Sequence, residues 1–109
     1  MQADSSDGLS GLLAWIMGNL DQDLTLEALA ARTSQSKRQF CRTFKSAFGA
    51  TPADVVESLR LDQARELLMD PHASVQNVAS AVGFGNPDSF RRAFVRRFGV
   101  APSGYRGQF

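Results

Sequence analysis

The sequence predicts an all-α fold of about seven helices, arranged as two helix-turn-helix subdomains joined by a long linker helix. Three observations carry that prediction. Apolar residues recur at helical spacing along most of the chain, and no stretch alternates as a strand would. Capping residues stand just ahead of those stretches, with Gly or Pro just after them. A block of thirteen residues recurs fifty positions further on.

Residues 1–8 are polar, lack periodicity and read as a flexible tail or linker stub, with the folded domain expected over 9–109. Leu9, Leu12, Leu13, Ile16, Met17 and Leu20 form an i, i+3, i+4 stripe, the mark of a first helix. Trp15 on that helix is expected to anchor a core. Thr25 can cap a short helix from Leu26 to Arg32, with Glu27 favourable in its first turn. Ser36 with Gln39 has capping-box spacing and opens a helix through Phe48, closed by Gly49. These two make a first helix-turn-helix over about 25–49. Thr51, with Pro52 at the first helical position, opens a linker helix over about 52–69 that stops before Pro71. Ser74 can cap a helix to Val82; Asn86, with Pro87 next, caps another to Phe98 and Gly99. That is the second helix-turn-helix, about 74–99. Pro102 then starts a last short turn toward Tyr105.

The repeat aligns Phe40 through Pro52 with Phe90 through Pro102. Three Phe, an Arg, a Gly and a Pro coincide, which makes six identities in thirteen positions. Upstream, Thr25 to Ala30 matches Ser74 to Ala79 in pattern, with one extra residue in the second copy's turn. Two copies are too few for a solenoid and fit two helix-turn-helix units on a stiff connector. A linker of some eighteen residues at 1.5 Å each would set recognition helices roughly 25–30 Å apart, close to the repeat of successive major grooves.

With 109 residues and 11.9 kDa there is room for one compact domain or two small ones sharing a core. The apolar share of 43% and charged share of 21% are those of a soluble globular protein. No apolar run approaches the roughly 18–20 residues of a membrane span. Leu12 to Met17 is too short for a signal peptide core and follows Asp4 and Asp7 rather than basic residues. A single cysteine, Cys41, excludes an internal disulfide and a Cys-rich zinc site and predicts a reducing cytoplasm.

The net charge of +1 says little, but its distribution says more. Residues 1–31 hold Asp4, Asp7, Asp21, Asp23 and Glu27 and no base. Residues 37–48 hold Lys37, Arg38, Arg42 and Lys45 and no acid, while 86–106 hold five arginines against Asp88 alone. Helical phase, about 100° per residue, gathers Phe40, Phe44 and Phe48 into one arc and sets Arg38, Arg42 and Lys45 opposite, with Cys41 at the margin. In the second copy Phe90, Phe94 and Phe98 form the inner arc, with Asp88, Arg92 and Val95 outside and Arg91 at the margin. Basic residues opposite an aromatic stripe, twice over, suit a pair of recognition helices.

These residues resemble the AraC-type DNA-binding domain, the double helix-turn-helix of bacterial transcription regulators. The resemblance covers roughly 9–106. It is carried by Leu29-Ala30, Ser36 with Arg38 and Phe40, Arg42 through Lys45, Gly49 with Pro52, Leu59-Arg60-Leu61, Ala64-Arg65 and Leu67-Leu68. The most specific stretch is Val78-Ala79, Val82-Gly83-Phe84, Phe90 through Phe94, Phe98-Gly99, Pro102 and Tyr105-Arg106. Gly85 through Asp88 and Val100 through Ser103 look closest to the branch with a glutamine-amidotransferase-like sensory domain in front. Three departures stand out: Gln35 replaces a usual apolar residue, Ser89 an aromatic, and Val95 a lysine. The family's usual ligand-binding and dimerisation domain is missing from this sequence, so the chain is expected to be either a stand-alone regulator or, as Met1 through Ser6 favour, a monomeric fragment of a longer regulator that dimerises through that N-terminal domain.

The resemblance implies double-stranded DNA as partner, RNA polymerase as a further one, and neither cofactor nor metal. Carried over by position, Arg38, Cys41 and Arg42 would contact bases from the first motif, and Asp88, Ser89, Arg91 and Arg92 from the second. Arginine suits a guanine edge, and Cys41 a thymine methyl or simply a half-buried position. Asp88 could accept from a cytosine amine, but favouring the helix dipole is the plainer role. Ser36, Lys37, Lys45, Ser74 and Arg96 would contact phosphates. Arg97 is expected to snorkel from the core edge.

An enzyme is not expected. His72 is the single histidine and sits in an Asp70-Pro71-His72 turn, and Gly83-Phe84-Gly85 lacks the third glycine and the strand of a dinucleotide loop. Asp21 and Asp23 show no sign of a matched acid–base pair. The alternative function is a helical protein-interaction module whose basic faces meet an acidic partner.

Overall fold

A computed structural model describes residues 5–107 as seven helices. In chain order they are α1 (Ser5–Gly18), α2 (Leu26–Ala31), α3 (Lys37–Phe48), α4 (Pro52–Leu67), α5 (Val75–Ala81), α6 (Pro87–Phe98) and α7 (Pro102–Gly107). There is no strand among the described residues. The chain divides into two compact units, with the boundary between Glu57 and Ser58, inside α4.

The helix starts follow their side-chain caps. Thr25 Oγ1 accepts from the Ala28 N–H at 3.2 Å, Ser36 Oγ from Gln39 at 3.1 Å, and Thr51 Oγ1 from Asp54 at 3.2 Å. Ser74 Oγ accepts from Asn77 at 3.0 Å, and Asn86 Oδ1 takes both Asp88 at 2.8 Å and Ser89 at 3.2 Å. Each bond satisfies a donor that the first helical turn leaves without a partner. The capping box at α3 is only half made, since the Gln39 amide donates to Thr43 Oγ1 at 3.4 Å instead. Both recognition-type helices end alike. Gly49 and Gly99 adopt φ 76° and 81°, and their N–H groups donate to Lys45 and Val95 carbonyls at 2.8 Å.

The start of α1, its buried stripe and the end of α4 differ from the sequence reading. Helix α1 begins at Ser5 rather than Leu9, because a polar first turn carries no apolar period to mark it; residues 1–4 lie outside the described residues. Met17 stands 58% exposed, so the buried stripe of α1 is Leu9, Leu12 and Ile16, with Leu20 buried just beyond its end. Helix α4 ends at Leu67 rather than Met69. The Met69 and Asp70 N–H groups bond three residues back, to Glu66 and Leu67 at 3.2 Å, a tightened turn ahead of Pro71.

In the first unit α2 packs on α3, and Leu29, Ala30, Phe40 and Phe44 are buried, as are Leu24 and Val56. The turn between these helices places Ser34 at φ 66°, an uncommon conformation for a residue other than glycine. Thr33 Oγ1 supports it by donating to the Ala30 carbonyl at 2.8 Å and accepting from the Gln35 N–H at 3.3 Å. Gln35 is half-buried, with its amide donating to Thr43 Oγ1 at 3.5 Å. Trp15 is half-buried rather than a core anchor. Its ring lies under the Arg32 guanidinium, 3.9 Å from the centroid, a cation–π contact with a residue of the next helix pair.

In the second unit Leu61, Ala64 and Leu68 meet Val78, Ala79, Val82, Phe90, Ala93 and Phe94 in one buried cluster. Phe rings ladder along each long helix with matching geometry. Centroids lie 5.5 and 4.6 Å apart for Phe40–Phe44–Phe48, and 5.7 and 4.6 Å for Phe90–Phe94–Phe98. The copies part company at the ends. Phe84 lies edge-on to Phe90 at 5.3 Å and Tyr105 to Phe94 at 5.9 Å, where the first copy has Ser34 and Val55. Phe98 is consequently half-buried, whereas Phe48, at 38% exposure, is the edge of its arc rather than part of the core.

Candidate nucleic-acid interface

Helix α3 buries Phe40 and Phe44 and turns Arg38, Arg42 and Lys45 outward. Spacings of four and three residues keep those three cations on one face. None of them has an ion pair or a side-chain hydrogen bond with any described residue. Cys41 is half-buried at the margin of this face, and its thiol is free. Lys37, at the first position of α3, reaches back to Glu27 on α2, Nζ to Oε2 3.4 Å, with both side chains more than half exposed. The Glu27 carboxyl lies below its ordinary range, held first by its own backbone N–H and then by Lys37. The neighbouring Asp23 carboxyl is lowered by the Thr25 N–H and hydroxyl. Ser36 and Ser74 are exposed, and each hydroxyl oxygen serves as a helix cap.

Helix α6 buries Phe90, Ala93 and Phe94 and turns Asp88, Arg91, Arg92, Val95 and Arg96 outward, with Ser89 half-buried. Its outer face is internally paired. One Asp88 carboxylate oxygen lies 3.3 Å from Arg91 Nη2, and the other lies 3.4 Å from Arg92 Nε. Asp88 therefore favours the helix N-terminus and at the same time holds two of the helix's arginines.

Arg97 does more than snorkel. Its guanidinium donates to both oxygens of Asp62, 2.9 and 3.1 Å from Nη2, and to Ser58 Oγ at 3.3 Å. This bidentate bond ties the end of α6 to α4, in which the sequence alone singled out neither Asp62 nor Ser58. Arg65, from the next turn of α4, lies 5.1 Å over the Phe98 ring. Arg60 is partly buried on the same helix, and burial lowers the pKa of its guanidinium. Ser58, Asp62 and Arg65 thus hold the end of α6 in place. A helical wheel of α6 puts Arg97 near the Phe arc, but only the packed helix pair brings an acid thirty-five residues away to meet it.

Among the described residues no polar or charged side chain is buried, and no three His, Cys, Asp or Glu side chains cluster to hold a metal. No helix among the described residues is long and apolar enough to cross a membrane. His72 is exposed in its turn, its N–H donating to Asp70 Oδ1 at 2.9 Å. The chemistry on the surface is that of paired and unpaired guanidiniums on two short, rigid helices.

Two capped helix pairs, each with an aromatic inner arc and a basic outer face, define a double helix-turn-helix protein. A family model described as a helix-turn-helix domain matches residues 29–108. An HTH-type transcriptional regulator of Mycobacterium tuberculosis is 40% identical over 81 residues, 74% of this chain and 31% of that protein. The crystal structure of the DNA-binding domain of AdpA, a global transcriptional factor in complex with a target DNA, superposes with a TM-score of 0.88. It is 36% identical and covers 92% of this chain and 90% of that one. An AraC-type regulator structure from Chromobacterium violaceum has a TM-score of 0.85 at 28% identity, covering 95% and 93%. The chain belongs to the AraC-type helix-turn-helix family. It spans about a third of the length of the curated relatives it matches.

Proposed function

We propose that the chain binds double-stranded DNA sequence-specifically, as the DNA-reading part of a bacterial transcription regulator, with α3 and α6 as recognition helices. The observation that carries this is the α3 face. Arg38, Arg42 and Lys45 stand free and outward, opposite buried Phe40 and Phe44, in a chain of a family whose AdpA member is crystallised on its target DNA. Arg38 and Arg42 are the residues able to bond a guanine edge with two donors, and Cys41 can pack on a thymine methyl. From α6, Asp88, Ser89, Arg91 and Arg92 are the base-reading set. Ser36, Lys37, Lys45, Ser74 and Arg96 set register on phosphates; the two serines keep an O–H to donate while their oxygens cap.

The wider protein is a cytoplasmic regulator that acts on RNA polymerase and is not an enzyme. Its resemblance to the branch with a glutamine-amidotransferase-like domain supports a sensory and dimerising segment ahead of this one. The test is a salt titration with duplex DNA. Several phosphate contacts give a linear fall of log affinity with log salt, with a slope of about −0.9 per contact. A flat dependence on duplex DNA, together with tight binding to an acidic protein, would favour the interaction-module reading instead.

A further inference from the structure

Asp88 occupies on α6 the position that Arg38 occupies on α3, and Val95 the position of Lys45. At the four outward positions 38, 41, 42 and 45, α3 carries three positive charges; at 88, 91, 92 and 95, α6 carries a net one. The difference is structural as well as numerical. On α3 the outward arginines are unpartnered, whereas on α6 one carboxylate spans two guanidiniums, at 3.3 and 3.4 Å, on a face where all three side chains are about 60% exposed.

Resting on the DNA-binding reading above, we infer that Asp88 is a specificity-determining residue that works by exclusion. Its carboxylate holds Arg91 and Arg92 away from phosphates and releases them only where the base it faces is a cytosine or an adenine, whose amino group lies on that strand's side of the groove. The chemistry of the major groove leads there. Phosphates, guanine O6 and N7, and thymine O4 are all acceptors and leave a carboxylate uncompensated. Cytosine N4 and adenine N6 are donors and satisfy it. Exposed ion pairs of this kind are weak enough to open once the carboxylate has another partner. Where the facing base is a guanine or a thymine, both arginines stay engaged with Asp88, and α6 adds little to the affinity that α3 supplies. The first motif then reads its half-site with free arginines, and Asp88 adds a further discrimination at the second.

The test compares the wild-type chain with Asp88→Asn, which is nearly isosteric and keeps the backbone N–H that Asn86 accepts. Two probes are used across a range of salt: a random-sequence duplex, and a duplex selected by the wild-type chain from a random pool. D88N is expected to bind the random duplex about three- to tenfold more tightly, from the release of two exposed pairs. Its log affinity should fall more steeply with log salt, by about one to two in slope, and its preference for the selected duplex should shrink. Adding R91Q and R92Q to D88N should return random-duplex affinity to the wild-type level or below. A gain that survives loss of both arginines, or a D88N chain with wild-type affinity and slope on random DNA, overturns the inference and leaves the DNA-binding reading standing. A wild-type chain with no salt-dependent affinity for either duplex overturns both.

Discussion

Arg42 and Lys45 lie three residues apart on one exposed face of α3, yet their head groups suit different parts of a duplex. A guanidinium offers two parallel donors that match guanine O6 and N7; an ammonium is a point charge suited to a phosphate. Arg42→Ala is expected to cost about 1–3 kcal/mol on a selected site and to relax preference at one base pair. Lys45→Ala should weaken selected and random duplexes alike. Equal losses on both duplexes for Arg42→Ala would show that it contacts phosphate. Behind this face, Phe44 and Phe94 are fully buried, each touching the rings one helical turn before and after it. Truncating either to alanine should cost about 3–5 kcal/mol, measured by chemical denaturation, because neighbouring rings cannot collapse into so large a void. Unchanged denaturation midpoints would mean that the aromatic arcs are not the core.

At the scale of an element, each recognition helix is bounded by a polar cap at its start and a left-handed glycine at its end. An alanine Cβ at Gly49 or Gly99 would meet nothing within 4 Å. The cost of Gly49→Ala or Gly99→Ala is therefore conformational alone, about 1–2 kcal/mol for a left-handed residue with a side chain. Asparagine, which tolerates that region, should lose less at both sites. Thermal melting of the four variants checks the order, and alanine as stable as glycine at either site would contradict the left-handed cap. These caps were legible in the sequence because a cap and its hydrogen-bond partner lie within four residues. The last turn of α4 was not, since Leu68 and Met69 continue the apolar run while the backbone has already tightened ahead of Pro71.

At the scale of the whole molecule, the two copies share an inner face and differ on the outer one. Arg38 stands against Asp88, and Lys45 against Val95. One chain with two unlike readers calls for a site made of two different half-elements rather than a palindrome. Selection of bound duplexes from a random pool is expected to return such a site. Inserting about five base pairs between its elements, half a helical turn, should then remove most of the specific affinity. Binding that survives the insertion would assign all sequence reading to one copy, and the unpaired arginines of α3 make it the first.

The amino-acid sequence by itself determined the helices, their caps, the duplicated motif and the family, together with which faces are aromatic and which are basic. All of these are written in relations of three or four residues, or in a repeat that alignment exposes. The tertiary structure alone decided how the charges are spent. Lys37 finds Glu27 ten residues away, Arg97 finds Asp62 and Ser58 across thirty-five and thirty-nine, and Arg32 covers Trp15, which then needs no core to shelter it. Phe48 and Phe98 hold the same place in the repeat, but Tyr105 and Arg65 cover the second and leave the first at the edge. Periodicity tells which way a side chain leaves its own helix. What it meets there depends on how separate helices pack, and that is set by the sum of many contacts rather than by any local pattern.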